Sequence, residues 1–316
     1  MAERGVSILS LGEMGPGVSE SLAADGFVVH AVPAQPLAGI LEAHGAEIRG
    51  VMTRGQVPVD AALLAALPAL EMVANFGVGY DSVDVAAAAS RGVAVSNTPE
   101  VLDDEVADLA VGLLLATIRQ LPQADRHARG GHWERGAFPL SGTLRGRTVG
   151  ILGMGRIGQA IARRVAAFDV PVVYHARRAV EGVTWRHYPT LLGMAEAVDT
   201  LVAIVPGGAA TRHLIGAEVL AALGPNGVVV NVARGSVVDE DALIAALQSG
   251  ALHAAGLDVF ADEPRIRPEL LALPNVVVMP HVGSATHHTR GRMAALVAEN
   301  VRSWFAGRGL VTPVAA

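Results

Sequence analysis

The chain contains no cysteine. That absence excludes disulfides, thiolate nucleophiles and cysteine-ligated metals together. Charge is also sparse: 17% of the 316 residues are charged, and the formal net charge is −6. With a pI near 6.0, the chain lacks the basic surplus of a non-specific nucleic-acid binder. No uninterrupted apolar run reaches bilayer length. The stretch Met1–Ser10 carries charge and then a short apolar segment, without the long h-region and cleavage site of a signal peptide. The expectation is therefore a soluble cytoplasmic protein that binds neither membrane nor nucleic acid. What is present in quantity is hydrophobic residue, 51% of the chain, with mean hydropathy +0.41. That content builds a large core and argues against disorder, and the length suits two domains.

The N-terminal part alternates short apolar runs with Ala-rich stretches. Val6–Leu11, Gly50–Thr53, Glu71–Asn75 and Val93–Ser96 read as strands, and Asp60–Ala66 as a helix. Such alternation predicts an α/β fold with a parallel sheet. A longer apolar-periodic helix is expected over Asp103–Ile118, with Asp103 or Asp104 as its N-cap. The cluster Asp103, Asp104, Glu105, Asp108 reads as a solvated, capped helix start and not as a metal site. A second βα series follows: Thr148–Leu152, Val170–Tyr174, Asp199–Val205, Gly227–Val232, Ala255–Val259 and Val276–Met279. Continuous Val/Ile/Leu runs of this length mark strands buried on both faces. Thr286–Phe305 reads as a closing helix that returns to the first half.

Thr148–Leu152 leads into Gly153-Met154-Gly155-Arg156-Ile157-Gly158, a strand, turn and helix carrying G-x-G-x-x-G. Gly153 permits the tight turn, Gly155 lets backbone approach a pyrophosphate, and Gly158 lets helix pack on strand. The helix N-terminus then faces the phosphates. After the next strand, where NAD sites carry an acid for the ribose 2′-hydroxyl, the sequence is Tyr174-His175-Ala176-Arg177-Arg178. Arginine grips a 2′-phosphate that a carboxylate would repel. NADP is the favoured cofactor on this reading, with NAD possible.

Three polar residues follow strand C-termini, where ligands bind in open α/β sheets: Arg234, Glu263 and His281. Reduction of a ketone needs a proton for the carbonyl oxygen, which His supplies near neutral pH. A neighbouring Glu favours and orients the imidazolium. Arg binds a carboxylate bidentately and helps polarise the carbonyl. No acidic or cysteine partners stand at ligand spacing from His287 and His288, so no metal is expected.

Asn231 to Asp239, Gly256 to Phe260 with Glu263-Pro264, and Pro280 to Thr286 resemble the D-isomer-specific 2-hydroxyacid dehydrogenases. The likeness runs along essentially the whole chain. It implies two Rossmann-like, doubly wound parallel-sheet domains with the active site in the interdomain cleft. The implied substrate domain is discontinuous, 1–98 plus 286–316, and the nucleotide domain is 99–285. By this resemblance Arg234 orients substrate, Glu263 supports His281, and His281 is the acid/base. Asn75 to Asp81 resembles the substrate loop, with Phe76, Gly77, Val78 and Gly79 beside the substrate and the Val78 and Gly79 N–H groups on its carboxylate. The cofactor set extends to Val205, Pro206, Thr211, Val232, Ala233, Asp258 and Gly283. The family implies a homodimer, with hinge closure excluding water.

Within the family the chain most resembles glyoxylate/hydroxypyruvate reductases and their hydroxyphenylpyruvate-reducing relatives. The expected partner is thus a small 2-keto or 2-hydroxy acid. Val205-Pro206-Gly207-Gly208 departs from the commoner Pro-Leu-Thr at this loop. The ending at Ala316 argues against phosphoglycerate dehydrogenases with a regulatory extension. Met52 and Arg54 line the substrate pocket on one reading; on another, Arg54 is a surface ion-pair partner. Trp133 reaches a neighbouring subunit's pocket on one reading and is simply packed on the other. Two other functions stay open on the sequence: an NAD-dependent D-lactate-type dehydrogenase, and a nucleotide-sensing corepressor-like protein.

Overall fold

The computed structural model describes residues 5–15, 17–32, 34–55 and 57–315; Met1–Arg4, at the start of the stretch examined for a signal peptide, lie outside them. The chain divides into two units, Met1–Leu102 with Thr286–Ala316, and Asp103–Ala285. The first unit runs on from Thr98, whose N–H donates to Gly77 O at 3.0 Å, as far as Leu102.

The first unit opens with β1 (Ser7–Ser10), α1 (Val18–Ala24), β2 (Val28–Ala31), α2 (Leu37–His44) and β3 (Ile48–Thr53). It continues with α3 (Ala61–Ala65), β4 (Met72–Asn75), α4 (Val85–Ser90) and β5 (Ala94–Ser96). The sheet order is β2-β1-β3-β4-β5, all parallel. Asp60 caps α3 by accepting from Leu63 N at 2.9 Å. One sheet face buries Leu9, Val51 and Val73 against Ile40, Leu64 and Ala88 of the three middle helices. Along β3 the alternate residue, Gly50, faces the other way: a Cβ there would press on Ile8, Phe305 and Met72.

The second unit begins with α5 (Asp103–Arg119), α6 (Leu121–Arg129), β6 (Val149–Leu152), α7 (Arg156–Ala166) and β7 (Val172–His175). It goes on through β8 (Arg186–Tyr188), α8 (Leu191–Ala195), β9 (Thr200–Ala203), α9 (Ala217–Leu223) and β10 (Val228–Asn231). It ends with α10 (Glu240–Ser249), β11 (Ala254–Leu257), α11 (Pro268–Leu271) and β12 (Val276–Val278). The order β12-β11-β10-β9-β6-β7-β8 reverses between β9 and β6, the switch point where such sheets bind dinucleotides. Alternate residues enter opposite cores. Leu201, Ala203 and Val229 meet the α8–α10 side, while Val202, Val228 and Val230 meet α5 and α7. That two-sided burial explains the unbroken apolar runs of these strands.

The chain closes with α12 (His287–Phe305), which packs on β4 and α1 of the first unit. Thr286 is its N-cap, accepting from Thr289 N at 3.1 Å. Two strands escape the sequence reading, β2 and β8. Both are sheet edges, and their residues VVHA and RHY are largely not buried, so neither carries a buried-strand run.

The acids of α5 are largely solvated, with the Asp104 and Asp108 side chains 77% and 67% exposed, and they also find partners that the sequence did not name. Helix α5 packs against α7, and there Asp103 accepts from Arg156 Nε at 3.1 Å. Arg164 donates to Asp104 at 2.9 Å and to Asp108. Three of the four acids, Asp103, Asp104 and Asp108, are thus one side of a helix–helix ion-pair seam. Trp133, in a 3₁₀ turn, is 72% exposed, so the packed reading of this residue fails within the chain. Among the described residues no helix is long and apolar enough to cross a membrane, and no cluster of three His or acidic residues stands ready for a metal.

Candidate active site

The glycine loop sits at the switch point. Gly153 has φ +101°, and a Cβ there would lie 2.6 Å from Ile204 O. A Cβ on Gly158 would lie 2.1 Å from Gly153 O. Those two glycines are dictated by backbone contact. Gly155 differs: it precedes α7 in an ordinary extended conformation, φ −71° and ψ −167°, and its Cβ would meet nothing within 4 Å. The space over its backbone is open. Beyond it, the first-turn N–H groups of Arg156, Ile157 and Gly158 have no intrahelical acceptor. An open backbone surface at a helix N-terminus fits a dinucleotide pyrophosphate. Met154 is buried, and Val205 Cγ1 lies 3.0 Å from the position of a Gly153 Cβ. Thr211 Oγ1 donates to Pro206 O at 2.7 Å, closing the loop that replaces Pro-Leu-Thr.

At the end of β7, His175 Nδ1 lies 2.8 Å from Tyr188 O on the neighbouring strand. Arg177 and Arg178 follow, both exposed. Among the described residues neither has an acidic side chain within ion-pair distance.

Beyond β10, buried Asn231 folds the next turn. Its Oδ1 accepts from Ala233 N at 3.0 Å, and its Nδ2 donates to Arg234 O at 2.9 Å. Val232 and Ala233 are buried, while Arg234 itself is half-buried. Gly235 has no room for a side chain, because a Cβ would lie 1.9 Å from the carbonyl carbon of Phe260. The Arg234 turn therefore rests on the Phe260–Ala261 peptide. Glu263 is tied to the same place, with Oε1 accepting from Phe260 N at 3.0 Å. Its other oxygen, Oε2, lies 2.6 Å from His281 Nδ1. A carboxylate accepts, so Nδ1 carries a proton and Nε2 is the ring nitrogen left for chemistry. The Glu263–Pro264 peptide is cis.

His281 has φ +52°, a left-handed conformation unusual for a non-glycine residue. Asp258 holds it there. Asp258 O accepts from His281 N at 2.8 Å, and its carboxylate accepts from Val282 N at 2.8 Å and Gly283 N at 3.0 Å. Expected among the cofactor residues, Asp258 is 2% exposed, and what it does here is anchor the turn that carries His281. Burial pushes its carboxyl pKa up, opposed by the two N–H donors. Burial also pushes Glu263 up, but the His281 and Phe260 hydrogen bonds and the charges of His281 and Arg234 outweigh it, and the net pKa is lowered. Glu263 thus stays a carboxylate beside the imidazole.

In the first unit, Asn75 and Asn97 organise the Gly-rich loop. Gly77 O accepts from Asn75 Nδ2 and Thr98 N, both at 3.0 Å, and Val78 O accepts from Asn97 Nδ2 at 2.9 Å. In a trans peptide the N–H points opposite to the C=O. The Val78 and Gly79 N–H groups therefore point away from the asparagines, and among the described residues neither has a partner. Two adjacent free amides make an anion nest. Phe76 is buried beneath Arg290, whose guanidinium lies 5.4 Å from the ring centroid. The sequence reading missed the positioning roles of Asn75, Asn97, Asn231 and Gly235. For the three asparagines the signal is their place at or just past a strand's C-terminal end.

Residues 111–283 match the family model described as D-isomer specific 2-hydroxyacid dehydrogenase, NAD binding domain. The chain is 46% identical over 275 residues to glyoxylate/hydroxypyruvate reductase A of Arabidopsis thaliana, covering 87% of this chain and 88% of the relative. It is 46% identical over 267 residues to hydroxyphenylpyruvate reductase of Plectranthus scutellarioides, covering 84% and 85%. Among solved structures, the NADPH-dependent glyoxylate/hydroxypyruvate reductase of Sinorhizobium meliloti, in complex with NADP and malonate, superposes with a TM-score of 0.92. That pair is 50% identical, over 99% of this chain and 97% of the other. Two parallel-sheet α/β units, a glycine loop at the switch point and the Arg234, Glu263 and His281 turns all agree with that likeness: the chain is an NAD(P)-dependent oxidoreductase and belongs to the D-isomer specific 2-hydroxyacid dehydrogenases.

Proposed function

We propose that the protein reduces a small 2-keto acid of the glyoxylate/hydroxypyruvate type to the D-2-hydroxy acid, with NADPH preferred over NADH. The observation that carries this reading is the 2.6 Å contact between His281 Nδ1 and the Glu263 carboxylate, on a turn braced by Asp258. Bound dihydronicotinamide supplies the hydride that C2 of the keto acid accepts. His281 gives the carbonyl oxygen its proton from Nε2 and takes one back in the reverse direction. Glu263 stabilises the imidazolium while that proton is held. Arg234 binds the substrate carboxylate and draws electron density toward the carbonyl oxygen. On the first unit, the Val78 and Gly79 amides are the groups suited to a carboxylate.

The NADPH preference rests on His175 standing where an acid would hold a ribose hydroxyl, and on the exposed Arg177 and Arg178 beyond it, which pair with no acid among the described residues. The NADP found in the similar Sinorhizobium reductase supports the same preference. A homodimer is part of this reading: exposed Trp133, at 72%, and Leu140 offer apolar surface for a second copy.

The test is a set of initial rates of NADPH and NADH oxidation with glyoxylate, hydroxypyruvate, pyruvate and 4-hydroxyphenylpyruvate, for the native chain and His281→Ala. Fast NADPH-linked turnover of the first two, lost in the variant with nucleotide binding kept, is the expected result. Turnover with NADH alone overturns the cofactor assignment. Unchanged turnover in His281→Ala removes the residue from the acid role.

A further inference from the structure

The reaction proposed above uses one arginine, Arg234, yet the substrate-loop unit holds two more around Phe76, which precedes Val78 and Gly79 in the loop. Strands β3 and β4 pair Thr53 with Asn75, and Phe76 N donates to Thr53 O at 2.7 Å. Arg54 and Phe76 are therefore the next residues out at adjoining strand ends. Gly55 keeps the Arg54 turn close, since a Cβ there would touch Ser82 Oγ at 3.4 Å. Arg290, on the first turn of α12, lies over the Phe76 ring at 5.4 Å. Gly15 backs both: its Cβ would stand 3.6 Å from Arg290 O and 3.8 Å from Phe76 Cε2.

The electrostatics of this corner are one-sided. Arg290 is half-buried and occupies a helix N-terminus, where the dipole disfavours a cation. Burial first, and Arg54 second, pull its pKa down. Arginine nonetheless stays charged. Arg54 donates to a main-chain carbonyl, Glu13 O, at 3.2 Å, and among the described residues it has no ion pair. Among the described residues no carboxylate pairs with Arg54 or Arg290. Two guanidinium groups held near each other without a counter-charge are unfavourable until an anion arrives.

We infer that Arg54 and Arg290, on either side of Phe76, form a second anion subsite near the Val78–Gly79 nest, and that among 2-keto acids longer than glyoxylate the protein favours those bearing a second carboxylate at the far end. The inference rests on the proposed reductase function. The nest takes the carboxylate next to the ketone, buried Phe76 backs Arg290 from below, and the arginine pair takes the distal carboxylate through charge-assisted bonds. A monocarboxylate of the same length leaves the pair unanswered.

The experiment compares kcat/KM for oxaloacetate and for 2-oxobutanoate, its analogue without the second carboxylate, in the native chain, Arg54→Gln, Arg290→Gln and Arg290→Lys. The native enzyme should prefer oxaloacetate, and each Gln variant should cut that preference roughly tenfold or more, mainly through KM. Arg290→Lys should restore part of it, and high salt should shrink it. A native preference for 2-oxobutanoate, or Gln variants that slow both substrates alike, overturns the subsite while leaving the reductase reading intact. Arg54 is exposed, so Arg54→Gln guards against a simple folding failure. If no keto acid turns over, the reductase reading fails, and thermal stabilisation by malonate then decides the subsite by itself. Stabilisation lost in Arg54→Gln supports it, and equal stabilisation overturns it.

Discussion

Two Gly→Ala substitutions three residues apart should have opposite signatures. At Gly158 the new methyl would stand 2.1 Å from Gly153 O, more than an ångström inside ordinary contact and against backbone that cannot rotate away. Overpacking of this kind costs typically 1–3 kcal/mol. Alanine in a helix returns about 1 kcal/mol relative to glycine. Taking the upper end for a backbone clash, the net loss is about 2 kcal/mol, or roughly 4–8 °C in Tm for a unit of this size. At Gly155 the methyl meets nothing within 4 Å and φ is −71°. Stability should move by no more than about 0.5 kcal/mol. The methyl instead occupies the space a pyrophosphate would use. Losing one charge-assisted bond there costs about 1.5–3 kcal/mol, roughly ten- to hundredfold in Kd. Thermal melting without ligand, with NADP(H) affinity from nucleotide fluorescence, separates the two effects. If Gly155→Ala melts early, or binds nucleotide as tightly as the native chain, the open space over Gly155 is not where phosphate sits.

Gly235→Ala should push the Arg234 turn off the Phe260–Ala261 peptide, on which a Cβ would stand 1.9 Å from the Phe260 carbonyl carbon. A displacement near 1 Å costs roughly a hundredfold in turnover, so kcat/KM should collapse while nucleotide affinity is kept; a normal kcat/KM refutes the positioning role. Replacing Arg177 and Arg178 together by Ala should weaken NADPH far more than NADH, and equal losses would remove them from the 2′-phosphate. The lowered pKa of Glu263 also has a sign. Its stabilisation is present above the unfolded pKa and is lost as pH falls through the folded value. Glu263→Gln should therefore flatten the acid side of a Tm-against-pH profile. The effect is small because the side chain is 33% exposed, and an unchanged acid slope counts against the ion pair.

The sequence by itself determined the strands buried on both faces, because Val228–Asn231 or Val149–Leu152 need apolar residues at every position, and that requirement is local. It determined the glycine loop through its spacing: Gly158 answers the nearby Gly153 carbonyl, while the contact that Gly153 itself answers, Ile204 O, comes from the end of a neighbouring strand. Their spacing and the Arg234, Glu263 and His281 motifs were therefore legible. Edge strands such as Arg186–Tyr188 were not, since one open flank lets polar residues in. Only the tertiary structure decided that Asn75 and Asn97, 22 residues apart in sequence, turn two carbonyls inward and so free the Val78 and Gly79 amides. Only it showed that the acids of Asp103–Arg119 meet arginines of Arg156–Ala166, and that Asp258 holds the left-handed His281 turn. Each depends on which groups the chain brings within 3 Å of one another. A hydrogen bond is satisfied by distance and angle rather than by sequence neighbourhood, so a buried Asn or Asp names its need for a partner without saying which partner meets it.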